Sequence, residues 1–159
     1  RRIDPAIRTE VLELVVDEGT VGRVVAPPVA AVIAAVDDLG ALIALLVACR
    51  KRGTPLVVSM GASSRTDPGR VRVGDLAAAT GCPFARLLRK RLRQRGLAVD
   101  LKVVFSSEPP RAPFEADRVD DGASPRRSRH RQASLMMLPG IFGYALANEV
   151  VLDLAGVGR

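Results

Sequence analysis

The sequence predicts an α/β fold, with a mostly parallel sheet and flanking helices, from three observations. Short continuous apolar runs at 30–36, 55–60 and 101–105 have the pattern of strands buried on both faces. A helical stretch separates the first two runs, so strand, helix and strand succeed one another over about 30 residues as a βαβ unit. The third run follows a second helical stretch, Pro83 to Arg95.

The elements follow in order. Val11-Leu12-Glu13-Leu14-Val15-Val16 reads as a first strand, closed by Asp17-Glu18-Gly19-Thr20, and Pro27-Pro28 breaks the chain after it. Ala30 to Val36 is an apolar strand ending on Asp37-Asp38. Leu39 to Arg52 is a helix, with Leu42, Leu45, Leu46 and Cys49 at helical spacing. Its cationic end, Arg50-Lys51-Arg52, suits the helix dipole, and Gly53 supplies the stop. Pro55 to Met60 returns as a strand and halts at Gly61-Ala62-Ser63-Ser64.

Asp67-Pro68-Gly69 is a turn, because proline presets φ and glycine relieves the crowding after it. Arg70 to Leu76 then alternates polar and apolar, a half-buried strand with its arginines on the wet face. Pro83 to Arg95 is a second helix, with Phe84, Leu87, Leu88 and Leu92 on one side. Arg86, Arg89, Lys90, Arg91, Arg93 and Arg95 make up the other. Leu101 to Phe105 is a strand ended by Ser106-Ser107-Glu108-Pro109-Pro110. Leu138 to Leu154 is a final helix, with Pro139 tolerated in its first turn. The organisation expected is one α/β portion over 1–110, a flexible Arg/Pro/Ser-rich loop over 111–134, and a helix in 135–159 packed on the same domain.

At 159 residues the chain is long enough to bury about two thirds of its unfolded surface as one domain. The richest apolar run, 29–49, is broken by Asp37 and Asp38, and no run is expected to be a membrane span of about 18 residues. The chain begins Arg-Arg-Ile, without an initiator Met or a signal-peptide pattern, and reads as a fragment. Net charge is +7, from 24 Lys and Arg against 17 Asp and Glu. Nearly all of the basic residues are arginine, which suits phosphate recognition and equally reflects a GC-rich genome. Two cysteines and one histidine, without metal-ligand spacing, exclude a disulfide scaffold and a zinc site and point to a reducing compartment.

Open parallel sheets bind ligands beyond the carboxyl ends of their strands, and Asp37 sits at such an end. Either Asp37 or Asp38 equally suits the cap of the helix that follows. The basic helix offers Arg86, Arg89, Lys90 and Arg93 to a phosphate backbone, with a solvated face as the alternative. With four Phe, one Tyr and no Trp, base stacking is not expected as the main mode. Pro125 to Arg131 is a second basic tract, suited to phosphate or targeting, although a short Arg run in a loop is usually just solvated. Cys82 stands at a helix N-terminus, where a thiolate is stabilised, and Cys49 reads as core.

The wording VVSMGASSRTDPGRVRVGDL at 57–76, with LKVVFSSEPP at 101–110 and LPGIFGYALANEV at 138–150, resembles the tRNA threonylcarbamoyladenosine dehydratase family. These are relatives of the ThiF, MoeB and ubiquitin-activating adenylating enzymes. The resemblance implies the carboxyl-terminal portion of a Rossmann-like, ThiF-type adenylating domain, without its amino-terminal glycine-rich βαβ unit. It also implies ATP-dependent cyclisation of threonylcarbamoyladenosine beside the tRNA anticodon, with ATP and magnesium as cofactors, tRNA as partner and a homodimer. Asp37 would then be the catalytic residue, serving the nucleotide and the magnesium, while Arg86, Arg89, Lys90 and Arg93 would hold tRNA. The compartment implied is the cytoplasm or, alternatively, the mitochondrial outer membrane.

Departures from the family pattern set up the competing expectation. The local D-A-I-D pattern reads Ala34-Ala35-Val36-Asp37 here, and Gly40 and Leu42 stand where basic residues are expected. No GxGxxG occurs anywhere, so this chain by itself is expected neither to hold ATP strongly nor to turn over. One flank of the sheet would lie open to another copy or segment. The alternatives are a non-catalytic remnant that binds tRNA or dimerises, or an adenylating enzyme for a ubiquitin-like or sulfur-carrier protein.

Overall fold

The computed structural model describes residues 6–111 and 135–157, and these build a four-stranded sheet with helices on both faces. In chain order the elements are α1 (Val21–Val24), β1 (Val32–Ala34), α2 (Leu39–Arg52), β2 (Leu56–Ser59), β3 (Val71–Asp75), α3 (Pro83–Gln94), β4 (Lys102–Ser106) and α4 (Met137–Leu154). The sheet order is β1-β2-β4-β3. β1, β2 and β4 are parallel, with Ile33 opposite Val57 and Val58 opposite Val103. β3 closes one edge antiparallel to β4, from Val71 opposite Ser106 to Asp75 opposite Lys102. The mostly parallel α/β architecture and the β1-α2-β2 unit are those expected.

Strand alternation divides the core into two layers. Val58 and Val103 point with Ala34 towards α2 and α3, where Leu42, Leu45, Leu46, Leu88 and Leu92 complete the larger cluster. Val57 and Val104 point the other way and meet Phe142 and Leu146 of α4. Lys102 ties the far end of that helix to the sheet, donating to Asp153 Oδ2 at 2.9 Å and lying 3.5 Å from Glu149 Oε2.

Several expectations are corrected. The 11–16 segment is not a strand: Val11 and Val15 are 84% and 80% exposed, and β-prone residues do not make a strand without a partner to pair with. Instead Asp17 organises a turn, its Oδ1 accepting from the Gly19 and Thr20 backbone N–H groups, and the short α1 follows. The strand expected over 30–36 pairs only at Val32–Ala34. Leu87 leaves the apolar side assigned to it, being 42% exposed, and Ala85 takes its place beside Leu88 and Leu92. One helix bears on the expectation that the chain holds no membrane span. Helix α4 has 18 residues at a mean hydropathy of 1.2, long and apolar enough to cross a bilayer, although one of its faces packs on the sheet. The loop expected over 111–134, from 112 on, and the basic tract at 125–131 lie outside the described residues.

Candidate functional site

Helices α2 and α3 both start at the carboxyl end of the parallel strands. α2 follows directly from β1. α3 is entered through Gly81, which lies against the Ser107 and Glu108 carbonyls just beyond β4. At their other ends, the Arg50 guanidinium of α2 donates to Asp100 Oδ1 (2.6 Å) and to the Ala98 carbonyl, in the segment linking α3 to β4. The two helices therefore run the same way over one face of the sheet. A cleft of 590 Å³ lies between them, lined by Asp37, Asp38, Leu39, Gly40 and Ile43 on one side and Phe84, Leu87, Arg91, Gln94 and Arg95 on the other.

The two aspartates have separate roles. Asp38 is the helix cap: its Oδ1 accepts from the Ala41 backbone N–H at 2.8 Å. Asp37 is exposed on the cleft rim at the end of β1. Magnesium takes few protein ligands, one or two carboxylates with substrate phosphates and water. An exposed Asp37 carboxylate fits that pattern with nucleotide phosphates. Among the described residues no three His, Cys, Asp or Glu side chains converge on a common point.

α3 carries three stripes. Ala85, Leu88 and Leu92 are buried. Arg86, Lys90 and Arg93 form an exposed outer stripe at i, i+4 and i+7. Phe84, Leu87, Arg91, Gln94 and Arg95 form the third stripe, which lines the cleft. Arg89 lies between the buried and outer stripes, half-buried, and its Nη1 donates to the Leu76 carbonyl (2.7 Å) and the Ala79 carbonyl (3.0 Å). It therefore pins the 3-10 turn Leu76–Ala78 that leads into the helix. So the structure sets Arg86, Lys90 and Arg93 together, engages Arg89 on the backbone, and brings Arg91 and Arg95 rather than those four to the cleft of Asp37. Arg95 also lies 3.7 Å from Glu18. The cleft spacing 84, 87, 91, 94, 95 is present in the sequence; Phe84 packs against the core as expected while also lining the cleft, and Leu87 alone departs from the packed side.

Beside the cleft, the loops after β2 and β4 are locked together. Arg65, 3% exposed, donates from Nη1 to the Gly61 and Ser63 carbonyls, from Nε to the Glu108 carbonyl and from Nη2 to the Gly81 carbonyl. The Glu108 carboxylate in turn accepts from the backbone N–H groups of Asp67 (2.8 Å) and Thr66 (2.9 Å). Those two donors, Asp67 first, hold its pKa below the ordinary glutamate value. Within this knot Ser64 keeps a left-handed φ of 60°. Cys82 is buried and its Sγ accepts from the Ala85 N–H as the cap of α3. Burial pushes the Cys49 thiol up, as suits a core residue.

No protein-family model matches the chain. Among known proteins it is similar to the tRNA threonylcarbamoyladenosine dehydratase of Bacillus subtilis, 33% identical over 126 residues, which are 77% of this chain and 50% of that protein. Dehydratase 1 of the same name from Saccharomyces cerevisiae is 30% identical over 132 residues, covering 76% of this chain and 30% of the yeast protein. The crystal structure of the Escherichia coli tRNA N6-threonylcarbamoyladenosine dehydratase in complex with AMP superposes with a TM-score of 0.82 at 26% identity, covering 98% of this chain and 61% of that one. Its complex with ATP gives a TM-score of 0.74 at 25% identity, over 99% of this chain and 63% of that one. The chain thus spans half or less of the curated relatives, and the match falls in their carboxyl-terminal part.

Proposed function

We propose, from the premise that this chain belongs to the tRNA threonylcarbamoyladenosine dehydratase family, that it supplies the magnesium-phosphate aspartate and an RNA-facing helix to ATP-dependent cyclisation of threonylcarbamoyladenosine in tRNA. The observation that carries this reading is the position of Asp37. It is an unengaged strand-end carboxylate on the rim of a cleft whose opposite wall carries Arg91 and Arg95, in a fold similar to enzymes crystallised with AMP and ATP. In the chemistry proposed, a carboxylate oxygen of the threonylcarbamoyl group attacks the α-phosphorus of ATP and pyrophosphate leaves. Ring closure on the activated carboxyl then releases AMP. Magnesium, when bound at Asp37, would neutralise the phosphate charge on which that attack depends. Arg86, Lys90 and Arg93 give the outer face of α3 its affinity for the RNA backbone. Arg89 contributes by holding the helix in place.

These 159 residues alone are proposed not to turn over, because the sequence holds no GxGxxG to cradle the phosphates. That absence, with Gly40 and Leu42 early in α2, favours the second reading, a non-catalytic module that binds tRNA. ATP–pyrophosphate exchange with tRNA bearing threonylcarbamoyladenosine separates the two. The chain is assayed alone and together with the amino-terminal portion of a family member. Exchange in the mixture that is lost in Asp37→Ala supports the enzyme part. No exchange in either, with tRNA still bound, leaves the module.

A further inference from the structure

The three stripes of α3 leave one feature without a role: the stripe that faces the cleft is itself divided. Phe84 and Leu87 lie on the first turns of α3, and Asp37, Gly40 and Ile43 lie just before or near the start of α2, which runs the same way. Arg91 and Arg95 lie on the later turns of the same stripe, about 6 Å and 12 Å beyond Leu87 along the helix. Gln94, also in the lining, adds an amide that both donates and accepts. An apolar shelf, a neutral amide and two guanidiniums in that order are complementary to a single nucleotide turned out of an RNA strand: a base to cover, polar base edges to bond and a phosphate to neutralise. Leu87 is 42% exposed although it sits in a cleft wall, and a base laid on it would bury that surface.

We infer that the α2–α3 cleft receives the modified adenosine of the RNA. Its base lies against Phe84 and Leu87, its backbone phosphate on Arg91 and Arg95, and its acyl substituent points to the mouth where Asp37 stands. The assignment rests on the tRNA-directed function proposed above and adds the site that selects the substrate nucleotide. It separates two kinds of RNA contact on one helix. The outer stripe of Arg86, Lys90 and Arg93 holds any strand through its phosphates, whereas the cleft stripe distinguishes one nucleotide from another. Ile43 closes the floor from the α2 side, so the pocket is bounded on both walls.

The test uses the full 159-residue chain and two RNAs, a tRNA bearing threonylcarbamoyladenosine and the same tRNA with plain adenosine, followed by fluorescence anisotropy over a salt series. The unaltered chain should prefer the modified RNA. Leu87→Ser, at an exposed position, should cut that preference by roughly 5-fold or more. Arg91→Gln should lower affinity for the modified RNA more than for the plain one. Arg86→Gln should weaken both RNAs alike. Ultraviolet crosslinking from the modified position gives a readout independent of any variant, with adducts expected on the peptide holding Phe84 and Leu87. Preference unchanged in Leu87→Ser, or adducts confined to other elements, would overturn the cleft assignment while RNA binding itself survives. Binding of neither RNA by the unaltered chain would overturn the assignment together with the function it rests on.

Discussion

Two charged regions lie side by side at the carboxyl end of the sheet and use charge in opposite ways. In the knot between the β2 and β4 loops, Arg65 is almost wholly buried and its donors reach four carbonyls, while the Glu108 carboxylate takes two backbone N–H groups. In the α2–α3 cleft, the side chains of Asp37 and Arg91 face solvent, and among the described residues neither has a side-chain hydrogen bond or ion pair. A buried charge must have its hydrogen bonds satisfied by the protein, so the knot is a structural device. An exposed charge keeps its water until something better arrives, so the cleft is available to a ligand. The difference teaches that proximity to the strand ends does not make a charged residue functional. The state of its hydrogen bonds divides the two cases.

The contrast can be broken or sharpened by substitution. Arg65→Ala should be the most damaging of the charged-residue changes, costing about 3 kcal/mol in urea unfolding because four carbonyls lose a charged donor. A loss below about 0.5 kcal/mol would put Arg65 with the surface arginines. Within α3 the same contrast is smaller. Arg89→Ala should cost about 1.5 kcal/mol through the Leu76 and Ala79 carbonyls. Arg86→Ala should leave stability within about 0.5 kcal/mol and instead reduce the salt slope of tRNA binding by about 1. Equal stability losses in the two would erase the distinction. The neighbouring aspartates divide similarly: Asp38→Ala should cost about 1 kcal/mol as a lost cap, and Asp37→Ala close to nothing.

A further effect expected is a pH dependence. Because the folded state holds the Glu108 pKa below its unfolded value, its contribution is present above the ordinary glutamate range and is lost as pH falls through the folded pKa. Unfolding midpoints measured downward from pH 5 should therefore fall more steeply in the unaltered chain than in Glu108→Gln. Parallel curves would mean that the two backbone donors do not depend on the charge.

Much of the fold was legible because it depends on local patterns. The apolar runs of β2 and β4, the helix 39–52 with its cationic end and left-handed Gly53, and the Asp67-Pro68-Gly69 turn all carry their signals within a few residues. The segment 11–16 had a strand's composition and no strand's neighbour, so pairing, which is non-local, decided against it. For the site, the sequence supplied the candidates: a strand-end Asp37 and a helix crowded with arginine. It did not show that Asp38 is the cap and Asp37 free, nor that Arg89 is engaged on a turn while Arg91 faces the cleft. By itself, then, the sequence determined the types of the elements from β1 onward, the βαβ order and the family likeness, since propensity and periodicity act over one or two turns of chain. Only the tertiary structure decided which of the charges are satisfied and which remain open, because deciding partners come from distant segments: the Ala79 carbonyl for Arg89 is 10 residues away and the Glu108 carbonyl for Arg65 is 43.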